Sequence, residues 1–307
     1  MRISHGLTPL ASLHAVTIGN FDGLHRGHQA MLDKLRQEAR ARGLPSCVLT
    51  FEPHPREFFA PEQAPTRLTS LGEKAALIAA AGIDRLHVLR FDRGLAALTA
   101  EEFVAGALAR TLGARYVLVG DDFRFGRGRG GDFSLLQALG PRFGFTAEAL
   151  PTVSVADHRA SSTAVRQALA GGDLERARRL LGRPYGITGR VVHGDKLGRS
   201  LGFPTANIQL RHNRPPLLGI FAVEVWGVND RALPGAASLG VRPTVHEHGR
   251  ATLEVFLLDY QGGLYGRKLR VDFLKKLRDE EKYPDLDSLA AQIRRDVDHA
   301  RHYFDHR

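Results

Sequence analysis

The chain of 307 residues contains a single cysteine, Cys47. One thiol excludes an intrachain disulfide framework and any zinc site built on cysteines. Set in the apolar run "SCVLT", it is expected to be a buried strand residue. No apolar run approaches the roughly 20 residues needed to span a bilayer. The opening "MRISHGLTPLASLHAV" lacks the continuous apolar core of a secretory signal, so the expected location is cytoplasmic. Internal repeats, low-complexity segments and a polybasic tail are also missing. The net charge of +10 is dispersed, +6 through Arg183 and +4 beyond it. A dispersed excess suits anionic small molecules such as nucleotides as well as it suits nucleic acid. A basic arm or an aromatic-studded RNA motif would favour nucleic acid, and the chain has neither.

What is present is the composition of a globular protein, 43% hydrophobic and 25% charged, with length enough for two domains. In the first half, strand-like runs ("LHAVTIG", "SCVLTF", "RLHVLRF", "RYVLVG") alternate with helical patterns. In "GHQAMLDKLRQEARARG", Met31, Leu32, Leu35 and Ala39 share one face and Gly43 follows the end. Ser70 with Glu73, and Thr99 with Glu102, have capping-box spacing. Such alternation predicts βαβ units and a Rossmann-like parallel sheet, closed by one helix over "STAVRQALAGGDLERARRLLGRPYG". After Pro184 the runs shorten, become β-branched and are punctuated by Gly, Pro, Asn and Asp. That pattern predicts a small antiparallel β-barrel. A terminal helix is expected after Pro284, with Leu289, Ile293, Val297, Ala300 and Phe304 at helical spacing. The expected domains are 1–183 and 184–307.

The stretch "GNFDGLHRGH", residues 19–28, follows the first of those strands and opens a helix. Ligands of parallel sheets sit beyond the carboxyl ends of the strands, and a helix N-terminus there favours anions. Gly19 and Gly23 let the backbone approach a ligand, with Phe21 and Asp22 between them. His25 and His28 share a face of the first helical turn. The stretch is neither G-x-x-x-x-G-K-[ST] nor G-x-G-x-x-G. A structural turn, a two-histidine metal site and a phosphate cradle are the alternatives. Third and fourth metal ligands at helpful spacing are lacking, and so is an activated nucleophile. Stabilisation of charge on a phosphoryl group fits best.

The H-x-G-H after the first strand resembles the nucleotidyltransferase superfamily, which transfers a nucleoside monophosphate with release of pyrophosphate. The partner segment there is rich in Ser and Thr and ends in a basic residue. Here "SSTAVR" supplies Ser161, Ser162, Thr163 and Arg166, which could also be a plain N-cap. Between the two lies "VGDDFRFGRGRGGD", a glycine-rich loop in which Phe123 and Phe125 could stack on a flat ring or simply form a surface loop. "FEPHP", residues 51–55, belongs to the same rim.

A second unusual stretch is "GDKLGRSLGFPTANI", residues 194–208. Thr205 and Asn207 alternate along an extended segment and can face one side. Their hydroxyl and amide oxygens are hard ligands suited to magnesium carrying nucleotide phosphates. Gly194, Gly198 and Gly202 could let main-chain N–H groups wrap those phosphates, and a cluster of turns is the alternative. Glu254 in "ATLEVFLLDY" is either a surface strand carboxylate or a general base.

From Gly189 and Val191 onward, "GRSLGFPTAN", "GIF", "GVRPT", "LEVFLLDY" and "LYG" occur in that order. This half resembles riboflavin kinase. With the first half, essentially the whole chain resembles the bacterial bifunctional riboflavin kinase/FAD synthetase family. The resemblance implies ATP-dependent phosphorylation of riboflavin to FMN, then adenylylation of FMN by a second ATP to give FAD and pyrophosphate. It implies that His25, His28, Ser161, Ser162, Thr163 and Arg166 serve the adenylylating ATP, with Gly19, Phe21, Asp22 and Gly23 around it. Asp122, Phe123 and Phe125 would lie near the flavin. Gly194, Lys196, Gly198, Gly202, Phe203, Pro204, Thr205 and Asn207 would form the kinase ATP site, Thr205 and Asn207 engaging Mg2+. Glu254 would activate the ribityl hydroxyl. Phe221 stands where tyrosine is usual, Phe256 where histidine or tyrosine is common, and Ala164 where a larger residue is frequent. The rival expectations are an adenylyltransferase for another phosphate ester, such as phosphopantetheine, and a basic nucleic-acid binder. The expected partners are riboflavin, FMN and ATP, without nucleic acid or membrane.

Overall fold

The structure is a computed structural model that describes residues 1–155, 158–194, 201–210, 214–242 and 250–307. The chain divides into two compact units: Met1–Pro65 with Leu71–Ser161, and Thr66–Ser70 with Ser162–Arg307. Among the described residues, no helix is long and apolar enough to cross a membrane.

In the first unit the order is β1 (Arg2–His5), β2 (His14–Ile18), α1 (Arg26–Ala41), β3 (Ser46–Glu52), α2 (Pro55–Phe59), α3 (Leu71–Ala80) and β4 (Arg85–Arg90). Then come α4 (Arg93–Ala97), α5 (Ala100–Phe103, continued by π-helical turns over Val104–Thr111), β5 (Ala114–Gly120), α6 (Phe133–Phe143) and β6 (Thr146–Leu150). A short antiparallel pair, β7 (Ser154–Val155) and β8 (His158–Arg159), follows. The six main strands form one parallel sheet in the order β1-β4-β3-β2-β5-β6. From β2 the chain builds outward to β3 and β4, then returns to the other side of β2 as β5. The β2–β5 crevice is therefore the topological switch point, where sheets of this kind take ligands.

Neighbouring strand residues serve opposite faces of the sheet. Val16, Leu49 and Val117 enter the core beneath the Val104–Thr111 segment and α6, whereas Ala15, Val48 and Leu118 pack under α1 and α3 with Leu32, Leu35 and Ile78. The Thr99–Glu102 capping box forms as its spacing predicts. Cys47 is fully buried in β3, as expected, and burial pushes its thiol up to about 12.

The helices α7 (Ser162–Ala170) and α8 (Leu174–Leu181) open the long segment of the second unit. The sequence predicts one helix here, and the structure has two. Gly172 adopts a left-handed φ of 74°, and Asp173 then caps α8 through the Arg176 N–H. Next come β9 (Tyr185–Val192), β10 (Ala206–Ile208), β11 (Gly219–Trp226), β12 (Leu233–Arg242), β13 (Arg250–Leu257) and β14 (Lys268–Arg278). They close an antiparallel barrel in the order β10-β13-β12-β11-β14-β9, returning to β10. The terminal helix α9 (Leu286–Asp305) packs Val297 and Ala300 against Ala222 and Ala236 of the barrel.

Two fully buried histidines near the amino ends of β2 and β4 carry a measurable consequence. His14 gives its Nδ1–H to the Leu112 carbonyl (2.7 Å) and accepts at Nε2 from Arg85 Nε (3.2 Å). His87 donates from Nε2 to the Gly6 carbonyl (2.8 Å) and accepts at Nδ1 from the Ser4 hydroxyl (2.9 Å). Both networks are complete with neutral rings. Burial, reinforced by the Arg85 charge, holds both below the ordinary 6.5. A depressed histidine stabilises the fold fully above its unfolded value, and that contribution is lost as pH falls through the folded value. The thermal midpoint should therefore drop more steeply between about pH 7 and 5 than in a His14→Gln/His87→Gln variant. Parallel midpoint curves for the two proteins would contradict this.

Candidate active sites

The turn from β2 into α1 is tightly constrained. Phe21 (φ 49°) and Leu24 (φ 42°) take left-handed conformations that side chains rarely adopt, together with Gly23 (φ 80°). Both side chains are buried in the core under α1, and that packing holds the strained backbone in place. His25 is the N-cap of α1, its Nδ1 accepting from the His28 N–H at 3.4 Å. As an acceptor at Nδ1, a neutral His25 carries its proton on Nε2. The His25 and His28 rings stack with centroids 3.7 Å apart. Between them, a Cβ on Gly27 would lie 3.2 Å from both the Ala160 carbonyl and His25 Nδ1, so glycine is what fits.

His28 Nδ1 is buried without a hydrogen-bond partner among the described residues, and so are Thr17 Oγ1 and Asn20 Oδ1 from the same strand end. Burial, with the nearby charges of His25 and Lys74 adding to it, holds the His28 imidazole well below the ordinary 6.5. His28 is therefore neutral at pH 7, an N–H donor and not a cation.

A cavity of about 280 Å³ opens beside this pair at the β2–β5 crevice. Gly19, Phe21, His25 and His28 line one side, and Asp122, Phe123 and Ser161 line another. Asp22 is buried next to Phe21, and neither it nor Gly23 lines the cavity. Phe125 is 7% exposed and turns into the core, where its ring meets Phe103 and stacks on Phe123. Ser162, Thr163 and Arg166 lie in α7 of the second unit, where Arg166 Nε donates to the Thr66 carbonyl at 2.6 Å. Sequence reasoning missed Arg159, which lines the cavity and pairs with Asp122. It also missed an aromatic cluster built from "FEPHP" onward. There Phe58, Phe59 and Phe91 have ring centroids 5.2–5.6 Å apart, and Phe59 is 67% exposed. The only sequence signal for it was the density of phenylalanines after β3.

In the barrel, Phe203, Thr205 and Asn207 alternate with the buried Ala206 and Ile208, as an extended segment requires. Thr252, Glu254 and Phe256 of β13 alternate in the same way with Leu253 and Val255. Antiparallel register sets Asn207 opposite Glu254, and the Thr205 hydroxyl donates to Glu254 Oε2 at 3.3 Å. A Cβ on Gly194 would lie 2.5 Å from the Asn207 amide, so the backbone there comes as near as glycine permits.

Thr205 borders two cavities. One, of about 520 Å³, is bounded by Phe203, Glu254 and Phe256 and by Ile293 and Val297 of α9. The other, of about 430 Å³, is bounded by Pro204, Tyr260 and Tyr265. Gly202 (φ 85°) turns the chain just before this segment. Lys196 and Gly198, with Pro243 and Thr244 of "GVRPT", lie outside the described residues. Phe221 is fully buried against Phe273 (5.1 Å) and borders neither cavity, whereas Phe256 meets Phe203 edge-on at 5.6 Å.

The sequence model of the FAD synthetase family matches residues 9–164, and that of riboflavin kinase matches residues 181–304. A bifunctional riboflavin kinase/FMN adenylyltransferase of Escherichia coli (strain K12) is 52% identical over 289 residues, 94% of this chain and 92% of that protein. The chain belongs to the bifunctional riboflavin kinase/FMN adenylyltransferase family. A family member from Pseudomonas fluorescens is 51% identical over 304 residues, 98% of this chain and 97% of that protein. A Streptococcus pneumoniae crystal structure described as a macrolide-efflux protein superposes with a TM-score of 0.80 at 29% identity, covering 96% of this chain and 97% of its own. Efflux is the description of that protein, and what the two chains share is the fold across both units.

The neutral state of His28 is directly observable. In a histidine-selective NMR titration of the ligand-free chain, its ring signal should move below the ordinary 6.5. A midpoint at or above 6.5 would contradict the buried environment described for it.

Proposed function

We propose that the barrel phosphorylates riboflavin with ATP to give FMN, and that the parallel-sheet unit adenylylates FMN with a second ATP to give FAD and pyrophosphate. The observation that carries the kinase assignment is the Thr205–Glu254 contact at the boundary of two cavities. One has the aromatic and apolar walls a flat ring needs, and the other can take a nucleotide. Glu254 accepts the proton of the ribityl hydroxyl as that oxygen attacks the γ-phosphorus. Thr205 and Asn207 fit magnesium, because both offer hard oxygens beside a side-chain-free approach at Gly194. When bound, magnesium neutralises phosphate charge. Gly194, Lys196, Gly198, Gly202, Phe203 and Pro204 complete the ATP site in this proposal.

At the other site an FMN phosphate oxygen attacks the α-phosphorus of ATP, and the β- and γ-phosphates leave together. His25 and His28 stabilise the developing charge as N–H donors. Ser161, Ser162, Thr163 and Arg166 keep the phosphate-binding role that the family resemblance gives them, and Asp122 and Phe123 stay on the flavin side. No covalent enzyme intermediate is needed, which suits a chain whose one thiol is buried. We place the functional domain boundary at 183/184 and the protein in the cytoplasm, with small molecules as its partners.

Two substitutions separate the steps. Replacing His28 with Ala should lower FAD formation from FMN by about 10²–10³-fold and leave FMN formation intact. Replacing Glu254 with Ala should lower FMN formation by about 10²–10⁴-fold and leave FAD formation from supplied FMN intact. Chromatographic separation of the flavins reads both, and loss of both steps from either change in a folded protein would refute the two-site assignment.

A further inference from the structure

The wall of the larger barrel cavity contains a buried ion pair with no part in the phosphoryl-transfer scheme. Arg278, the last residue of β14, and Asp296, on the inner face of α9, both line it. Their side chains are 19% and 7% exposed. The contact is a two-point fork: Arg278 Nε donates to Asp296 Oδ1 at 2.8 Å, and Nη2 donates to Oδ2 at 2.7 Å. Gln292 Nε2 adds a third donor to the carboxylate, at Oδ1 (2.9 Å), and Arg278 Nη1 donates to the Asp279 carbonyl at 2.8 Å. Every guanidinium nitrogen is thus engaged within the protein. Three of the five N–H donors of Arg278, both prongs of the fork among them, are committed to Asp296 and the backbone, so the side chain is held as an anchor between two elements.

What the pair fixes is geometry on two sides of the cavity. On α9, Asp296 lies between Ile293 and Val297, which form the apolar wall. On the barrel, the Arg278 bond to Asp279 anchors the backbone just before Glu280. The Glu280 carboxylate fills the space over Gly240, where no side chain would fit, and comes 3.5 Å from Ser238 Oγ. Ser238 is directly opposite Glu254 in the β12–β13 register. One fork therefore ties the helix wall to the strand end that abuts the partner of Glu254.

We propose that Arg278 and Asp296 are positioning residues of the kinase site, locking α9 and the end of β14 together so that a flavin held between them presents its hydroxyl to Glu254. The proposal rests on the kinase assignment of this cavity. It differs from a purely stabilising role, because a buried ion pair is often replaced by apolar residues of similar volume without loss of stability. An apolar pair would hold the helix on the barrel but not at the fixed distance and angle that a two-point fork imposes.

The test uses the full-length R278M/D296L variant, with thermal unfolding followed alongside kinetics. The variant is expected to keep its thermal midpoint and its FAD formation from FMN, with KM for riboflavin raised about tenfold or more and KM for ATP unchanged. A folded variant with wild-type KM for riboflavin overturns the proposal. If the double variant does not fold, Arg278→Lys keeps the charge and loses the fork. The same rise in KM is then expected, and a wild-type value again overturns it. Glu254→Gln serves as the separate control. Kinase activity surviving in that variant would remove the assignment of the cavity itself, whereas an inactive Glu254→Gln beside a normal R278M/D296L would remove only the role of the pair.

Discussion

A triphosphate brings more negative charge into a cavity than any one side chain balances, so donors fixed before the ligand arrives are the requirement on which both halves depend. In the first unit the fixing begins with the chain path. Because β5 returns beside β2, the loops after these two strands face each other across one crevice. His25 then serves two purposes. As N-cap it starts α1, and by the same bond it sets the distance between itself and His28. The stacked rings are too close, and His28 too buried, for both to carry charge. The crevice accordingly holds its histidine pair in a fixed arrangement, with His28 as the neutral member.

The barrel meets the same requirement with register instead of strain. Antiparallel pairing puts Asn207, Glu254 and Ser238 side by side on three neighbouring strands. Thr205 is one alternation away, at the boundary between the cavity proposed for the flavin and the one proposed for the nucleotide. A one-residue slip of β10 would turn Thr205 and Asn207 into the barrel interior and bring Ala206 and Ile208 out. The buried alternate residues thus fix the side on which Thr205 and Asn207 stand, and the core of the barrel is what keeps the proposed site aligned.

Much of this was legible in the sequence because the residues proposed for the chemistry lie in short contiguous stretches. "GNFDGLHRGH" and "GFPTAN" each hold their candidate site residues within ten positions, and the change of hydrophobic period near Pro184 marked the barrel. What escaped was non-local or weakly patterned. The edge strand β1 is largely exposed and β6 is only partly buried, so neither carries an apolar run to announce it. Arg159 and Asp122 are 37 residues apart, and Arg278 and Asp296 are 18 apart on different elements. Nothing in their local sequence says that they meet. Phe125 shows the converse case. Its sequence neighbourhood suggested a ligand platform, yet the Phe125–Gly131 bridge turns the ring toward Phe103 and the core.

The phenylalanine at position 221, where the family resemblance implies a tyrosine, bears on the same point. Phe221 sits fully inside the barrel against Phe273, away from both cavities, so the missing hydroxyl subtracts nothing from either wall. Phe256, by contrast, faces the larger cavity and adds apolar surface beside Phe203. Two departures that look alike in sequence therefore differ in place, and only the second borders the cavity proposed for the flavin.

The most direct measurement is the binding stoichiometry of a non-hydrolysable ATP analogue in the presence of magnesium, by calorimetry on the intact chain. Two nucleotides bound per chain at saturation, each independent of the other, is the expected result. Saturation at one per chain would contradict the claim that the parallel sheet and the barrel each hold a triphosphate of their own.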